Sequence, residues 1–179
     1  MAITDVSDTE IAESIIVPSQ SPPPKLSEGE KELLTTTWAQ VENDADRIGA
    51  VTFINLFEKH PGVKDKFIPF KSIDVNNEHY NRILRNHGLR VLKTVGKMIH
   101  RVNEEENKMI NIVRDTGTRH KAYHAEAMLI QTMCPHFIKA IEGTLGEKWT
   151  VDVKTAYEHL FAILSFHMTD SLLIAQKTK

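Results

Sequence analysis

Residues 80–98 read YNRILRNHGLRVLKTVGKM, and this stretch decides the fold. Tyr80, Leu84, His87, Val91, Val95 and Met98 recur at helical spacing and share one side of a cylinder. Asn81, Arg82, Arg85 and Lys93 take the other side, and Arg90 falls at the edge of the stripe. A histidine therefore stands among the apolar residues of an amphipathic helix, where its ring nitrogens need partners. Further along, Met109, Ile110, Val113, Gly117 and His120 repeat the pattern. That helix opens on acids (Glu104, Glu105, Glu106) and closes on bases (Arg119, Lys121), as the helix dipole prefers. The two histidines are thus placed to point inward, one from each wall of a cleft. Taken singly, each also fits a core histidine bonded to a carbonyl.

The flanking sequence is helical as well. Ser27 followed by Glu30 fits a capping box, and Leu34, Trp38 and Val41 continue one face of the helix it opens. A second helix runs from about Ala45 through Ile48, Val51, Phe53, Ile54 and Phe57, until Pro61 ends it and starts a short third one. Residues from Phe67 to about Asn77 read as a looser connection. After the two histidine helices come a long helix from about Ala125 to Gly143 and a last one from about Thr150 to Ala175. Pro135 is expected to bend the first of these or shift its register. Gly49 and Gly88 each lie inside a helix, where glycine costs stability unless backbones must approach closely. No strand and no internal repeat is expected, so the fold class is all-α with angled helix crossings.

Composition narrows the function. A chain of 179 residues is one domain's length and can bury a core. With 41% hydrophobic and 26% charged residues it reads as globular. A net charge of −2 gives no basic field for nucleic acid or an anionic membrane. The single cysteine, Cys134, rules out an internal disulfide and suits a reducing, cytoplasmic setting. It fits a small buried hydrophobe better than a redox thiol or a bridge between chains.

The first 25 residues are different in kind. They carry Asp5, Asp8, Glu10 and Glu13, and the run Ser21-Pro22-Pro23-Pro24, which reads as a disordered extension preceding a domain over 26–179. No signal peptide or membrane span is evident. Ala2 stands where myristoylation requires glycine, with no cysteine nearby, so no membrane anchor is expected.

Several pieces in order carry a resemblance. They are Phe53-Ile-Asn-Leu-Phe57-Glu-Lys-His-Pro61, Phe67-Ile-Pro-Phe70, Asn86-His87-Gly88-Leu-Arg-Val91 and Gly117-Thr-Arg-His120. Leu145-Gly-Glu-Lys-Trp149-Thr and Ala156-Tyr-Glu-His-Leu-Phe161 complete the set. From about Leu26 to Met168 their order and spacing resemble the globin family, closest to its neuroglobin and globin X branch. The resemblance implies a three-on-three helical sandwich around a pocket for haem b, iron protoporphyrin IX. It makes His120 the proximal iron ligand and His87 the distal histidine. Phe67 becomes the ring-stacking phenylalanine, while Phe53 and Val91 wall the distal side. It also implies that Arg90 reaches a propionate, that His124 touches the propionate side, and that Phe161 touches the ring; Arg90 and His124 fit solvated surface residues equally well.

The same resemblance implies reversible binding of oxygen, nitric oxide and carbon monoxide, with His87 as a displaceable sixth ligand. Storage, sensing or redox work suits such a protein better than bulk oxygen transport. Two other haem functions stay open: an enzyme that reduces nitrite or dioxygenates nitric oxide, and a bis-histidine electron carrier. Both need an external reductase, since the chain has no flavin or nicotinamide domain. Zinc held by His120 and His124 on one helix face, or a helical fold without haem, are the remaining alternatives. No phosphate-binding glycine loop is present. Either a monomer or a homodimer fits the sequence.

Overall fold

The computed structural model describes residues 21–67 and 78–178. Most of the extension 1–25 and the connection after Phe67 therefore lie outside the described residues. Among the described residues seven α-helices follow one another: α1 (Glu28–Asn43), α2 (Ala45–Lys59), α3 (Pro61–Lys64), α4 (Glu78–Ile99), α5 (Glu106–His120), α6 (Ala127–Leu145) and α7 (Val151–Lys177). Short 3-10 turns at Lys121–Tyr123 and Gly146–Lys148 link the last three. Among the described residues there is no strand. None of the described helices is long and apolar enough to cross a membrane.

Local chemistry sets the boundaries. Ser27 caps α1 reciprocally: its hydroxyl accepts from the Glu30 N–H at 3.3 Å, and its own N–H donates to the Glu30 carboxylate at 2.7 Å. The Thr150 hydroxyl caps α7 in the same sense, accepting from the Val153 N–H at 3.2 Å. Pro61 opens α3, as its fixed φ and missing N–H allow. Pro135 lies inside α6, as its sequence position implied. Helix α6 runs through it, and the exposed proline leaves one Gln131 carbonyl without its usual donor.

Helices α1, α4 and α5 form one layer, and α2, α6 and α7 the other. The α2/α4 and α5/α7 crossings are the most extensive across the layers. Each is made close by glycine. A Cβ on Gly49 would stand 2.6 Å from the Gly88 carbonyl carbon, and one on Gly88 2.5 Å from Gly49 backbone. A Cβ on Gly117 would stand 2.3 Å from the Met168 carbonyl oxygen. These contacts press the helices carrying His87 and His120 against their partners. Between the layers lies one continuous core that includes Leu34, Trp38, Ile48, Phe53, Val95, Phe137, Tyr157 and Leu160. The Tyr157 hydroxyl and Thr37 hydroxyl satisfy each other at 3.1 Å within it. Cys134 belongs to the same core, its thiol donating to the Ile130 carbonyl at 3.3 Å. Burial pushes that thiol up to about 12, so it is a packing residue rather than a thiolate.

Candidate functional site: two histidines on adjacent helices

His120 is the last residue of α5, half-buried. Its Nδ1 lies 2.8 Å from the Thr116 carbonyl oxygen, one turn back. A carbonyl can only accept, so Nδ1 carries the proton and Nε2 keeps its lone pair. Carbonyl bonding of this kind was the plain reading of each histidine in the sequence. In His120 it does more than satisfy a core residue, because it fixes the tautomer and orients the opposite nitrogen as a donor atom. Burial lowers the pKa of His120, and the Thr116 carbonyl partly offsets that.

His87 projects from α4 beside Gly88, in the middle of the α2/α4 crossing. Burial first, then the charges of His120 and Arg90, push its pKa down to about 4. The two imidazoles are thus near enough to sense one another electrostatically, and both are biased toward the neutral form that binds metals. Arg90 is exposed, three residues along α4 at the rim, while Val91 is half-buried against the core one turn beyond His87.

Aromatic rings surround His87. Phe53 of α2 meets it edge-on with centroids 5.0 Å apart, and Phe67 stands at 6.3 Å. Phe53 and Phe67 are in turn 5.8 Å apart. Such tilted contacts suit aromatic quadrupoles and hold the rings in register. Behind them, Phe137 of α6 packs edge-on to Phe53 at 6.1 Å and stacks on Phe161 of α7 at 5.9 Å. The structure therefore brings His87, Phe53, Phe67 and Val91 together, with Phe161 in a second layer. Phe137 was not singled out from sequence. Its signal lay in the α6 stripe of Ile130, Met133, Phe137, Ala140 and Ile141, which marks it as buried but not as a neighbour of Phe53.

His124 sits apart from this group. A 3-10 turn follows His120, and His124 takes a left-handed backbone with φ 51° and ψ 34°. It is exposed and lines a recess of about 510 Å³ with Lys121, Ala125, Glu126, Ala127 and Gln176. Four-residue spacing on one helix face, which the zinc alternative needs, does not exist for His120 and His124 because α5 ends at His120. A second recess, about 480 Å³, opens between α6 and α7 on the side of Phe161 lined by Cys134, Ile138 and Trp149.

These features define a class: an all-α protein with an imidazole on each of two adjacent helices, both biased toward the neutral form, one of them packed against two phenylalanines. The sequence model of the globin family, described as "Globin", matches residues 50–168, more than half of the chain. The chain belongs to that family. Over 149 residues it is 24% identical to cytoglobin-2 of Danio rerio, spanning 82% of this chain and 83% of that protein. Among solved structures it is similar to a hexacoordinated haem protein from an anhydrobiotic tardigrade, crystallised at pH 4. That match has a TM-score of 0.72 at 17% identity and covers 83% of this chain and 96% of the other. It speaks for the fold, which is the all-α globin fold. Family membership supports haem as the group in the cleft and a diatomic gas as its ligand.

Proposed function

We propose that this globin binds haem b between His120 and His87 and uses it to bind diatomic gases reversibly, with His87 as a displaceable sixth ligand. The observation that carries the reading is the Nδ1–carbonyl bond of His120, which leaves Nε2 as the donor. The residues present fit the group. One imidazole is fixed in the ligand tautomer, a second is held neutral, and the walls are phenylalanine and valine. In this reading Phe67 stacks on the macrocycle, Phe53 and Val91 wall the distal side, and Arg90 reaches a propionate from the rim. The haem, when bound, would supply an iron able to take up oxygen, nitric oxide or carbon monoxide.

The chain's own contribution is the gate. His87 stays neutral at physiological pH, so it competes for the iron as a lone-pair donor rather than being repelled as a cation. Phe53 and Phe67 against its ring limit how far it can swing. Gas affinity is then reduced by the fraction of protein in which His87 has withdrawn; an open fraction near one in ten would cost about tenfold. That behaviour suits storage, sensing or redox work in the cytoplasm more than bulk transport. It also matches the neuroglobin and cytoglobin type, in keeping with the similarity to cytoglobin-2 and to a protein described as hexacoordinated. His124, exposed in a recess of its own, contributes at most at the propionate edge.

Carbon monoxide binding to the reduced protein tests the gate. In the wild type the observed rate should level off at high gas concentration, limited by His87 leaving. In His87→Leu it should rise linearly and, at high gas, exceed the wild type by about tenfold or more. Identical linear rates in both proteins would remove His87 from the iron.

A further inference from the structure

A second pair of imidazoles lies away from the cleft. His60 closes α2 and precedes Pro61, while His136 lies on α6 between Pro135 and the fully buried Phe137. Their ring centroids are 5.8 Å apart, with the planes nearly perpendicular at 89°. Both residues are half-buried, and among the described residues neither ring has a hydrogen-bond partner.

We propose that His60 and His136 form a metal site, separate from the haem cleft, for one borderline divalent cation, Cu²⁺ ahead of Zn²⁺.

The spacing fits two imidazoles on one ion. Metal–nitrogen bonds of about 2.0–2.1 Å place the ring centroids of two such ligands roughly 5–6 Å apart. The nitrogen-only donor pair selects copper, nickel or zinc over magnesium or calcium, and copper leads in intrinsic affinity. Both backbones are held before any ion arrives. The His60 N–H is bonded to the Leu56 carbonyl at 2.9 Å and the chain is stiffened by Pro61, while His136 is fixed within α6. The electrostatics divide. The positive charge of Lys59 acts on His136 and opposes a cation, whereas His60 lies at the C-terminal end of α2, where the carbonyl dipoles favour one. Burial, then the charges of His60 and Lys59, lower the pKa of His136, which favours the unprotonated ligand. Two protein ligands leave the other coordination positions to water, so the affinity is that of an open site. The site would tie the end of α2 to α6 just behind Phe57 and Phe137, both packed against Phe53.

Titration calorimetry of the haem-loaded protein with Zn²⁺ and then Cu²⁺ tests this. The expected result is one ion per chain, bound more tightly as Cu²⁺. His60→Ala and His136→Ala should each weaken binding at least about tenfold. The exposed control His100→Ala should leave it unchanged. Circular dichroism confirms that each variant keeps its helices, and the ion should raise the thermal midpoint of the wild type but of neither variant. Absence of stoichiometric binding, or binding that survives in both variants, would overturn the proposal.

Discussion

His120→Gly is expected to lose haem, and added imidazole to restore it. The Thr116 carbonyl at 2.8 Å holds the Nδ1 proton of His120 and aims the ring, leaving Nε2 as the donor. Losing a partner that merely orients a metal-bound histidine typically costs 10–100-fold in affinity, so removing the ligand itself should weaken haem retention by about 100-fold or more. In the proposed function His87 is the ligand that leaves, so it is not expected to replace His120 on equal terms. The protein should therefore purify with a greatly reduced haem band and release residual haem to an acceptor far faster than wild type. Imidazole diffusing into the gap left by the side chain should restore both, which separates ligand loss from misfolding. His87→Gly should keep its haem. Stoichiometric haem with an unchanged spectrum in His120→Gly would contradict the assignment of the proximal ligand.

The second large effect lies in the backbone. Gly49→Ala and Gly88→Ala each insert a methyl group 2.5–2.6 Å from the backbone of the opposite helix, where no side chain can rotate away. Glycine to alanine inside a helix ordinarily gains about 0.5–1 kcal/mol. Overpacking costs about 1–3 kcal/mol and sometimes more, and a backbone clash falls at the high end. The net expectation is a loss of about 2 kcal/mol, or roughly 4–8 °C in thermal midpoint for a chain of this size. Gly143→Ala supplies the opposite sign. It lies in α6 with nothing within 4 Å of a built Cβ, so it should stabilise slightly. Gly88→Ala should further disturb the adjacent His87 and shift its occupancy of the iron, whereas Gly49→Ala acts through α2. Equal, near-zero shifts in Tm for all three variants would show that α2 and α4 do not meet through glycine.

Much of this architecture was legible because its causes are local. The stripe from Tyr80 to Met98, the Ser27–Glu30 box and Pro61 each encode helix or boundary within a few residues, and the structure follows them. The Gly49–Gly88 crossing was legible for a different reason: glycine inside a helix is costly without a neighbour to accommodate. Other features depend on distant parts of the chain. Nothing near Phe137 says that it meets Phe53 of α2 and Phe161 of α7. The His60–His136 pair joins elements far apart in sequence. Pro135 is carried inside α6 because one lost hydrogen bond is outweighed when neighbouring turns bury Met133, Cys134 and Phe137. His124 fitted a propionate-side contact and an exposed loop residue equally from sequence; it follows the end of α5 in a left-handed conformation and is exposed. As for the candidate site, its two histidines could be found from periodicity, but the tautomer of His120 could not. It rests on which carbonyl the ring meets at the end of α5.

The most direct test of the account is the absorption spectrum of the purified, anaerobically reduced protein before and after carbon monoxide. Sharp, split low-spin bands that convert on adding the gas are the predicted result, with His120 and His87 both on the iron and His87 giving way. A broad five-coordinate high-spin spectrum would contradict the gate formed by His87, and no haem band even after haem is supplied would contradict the site itself.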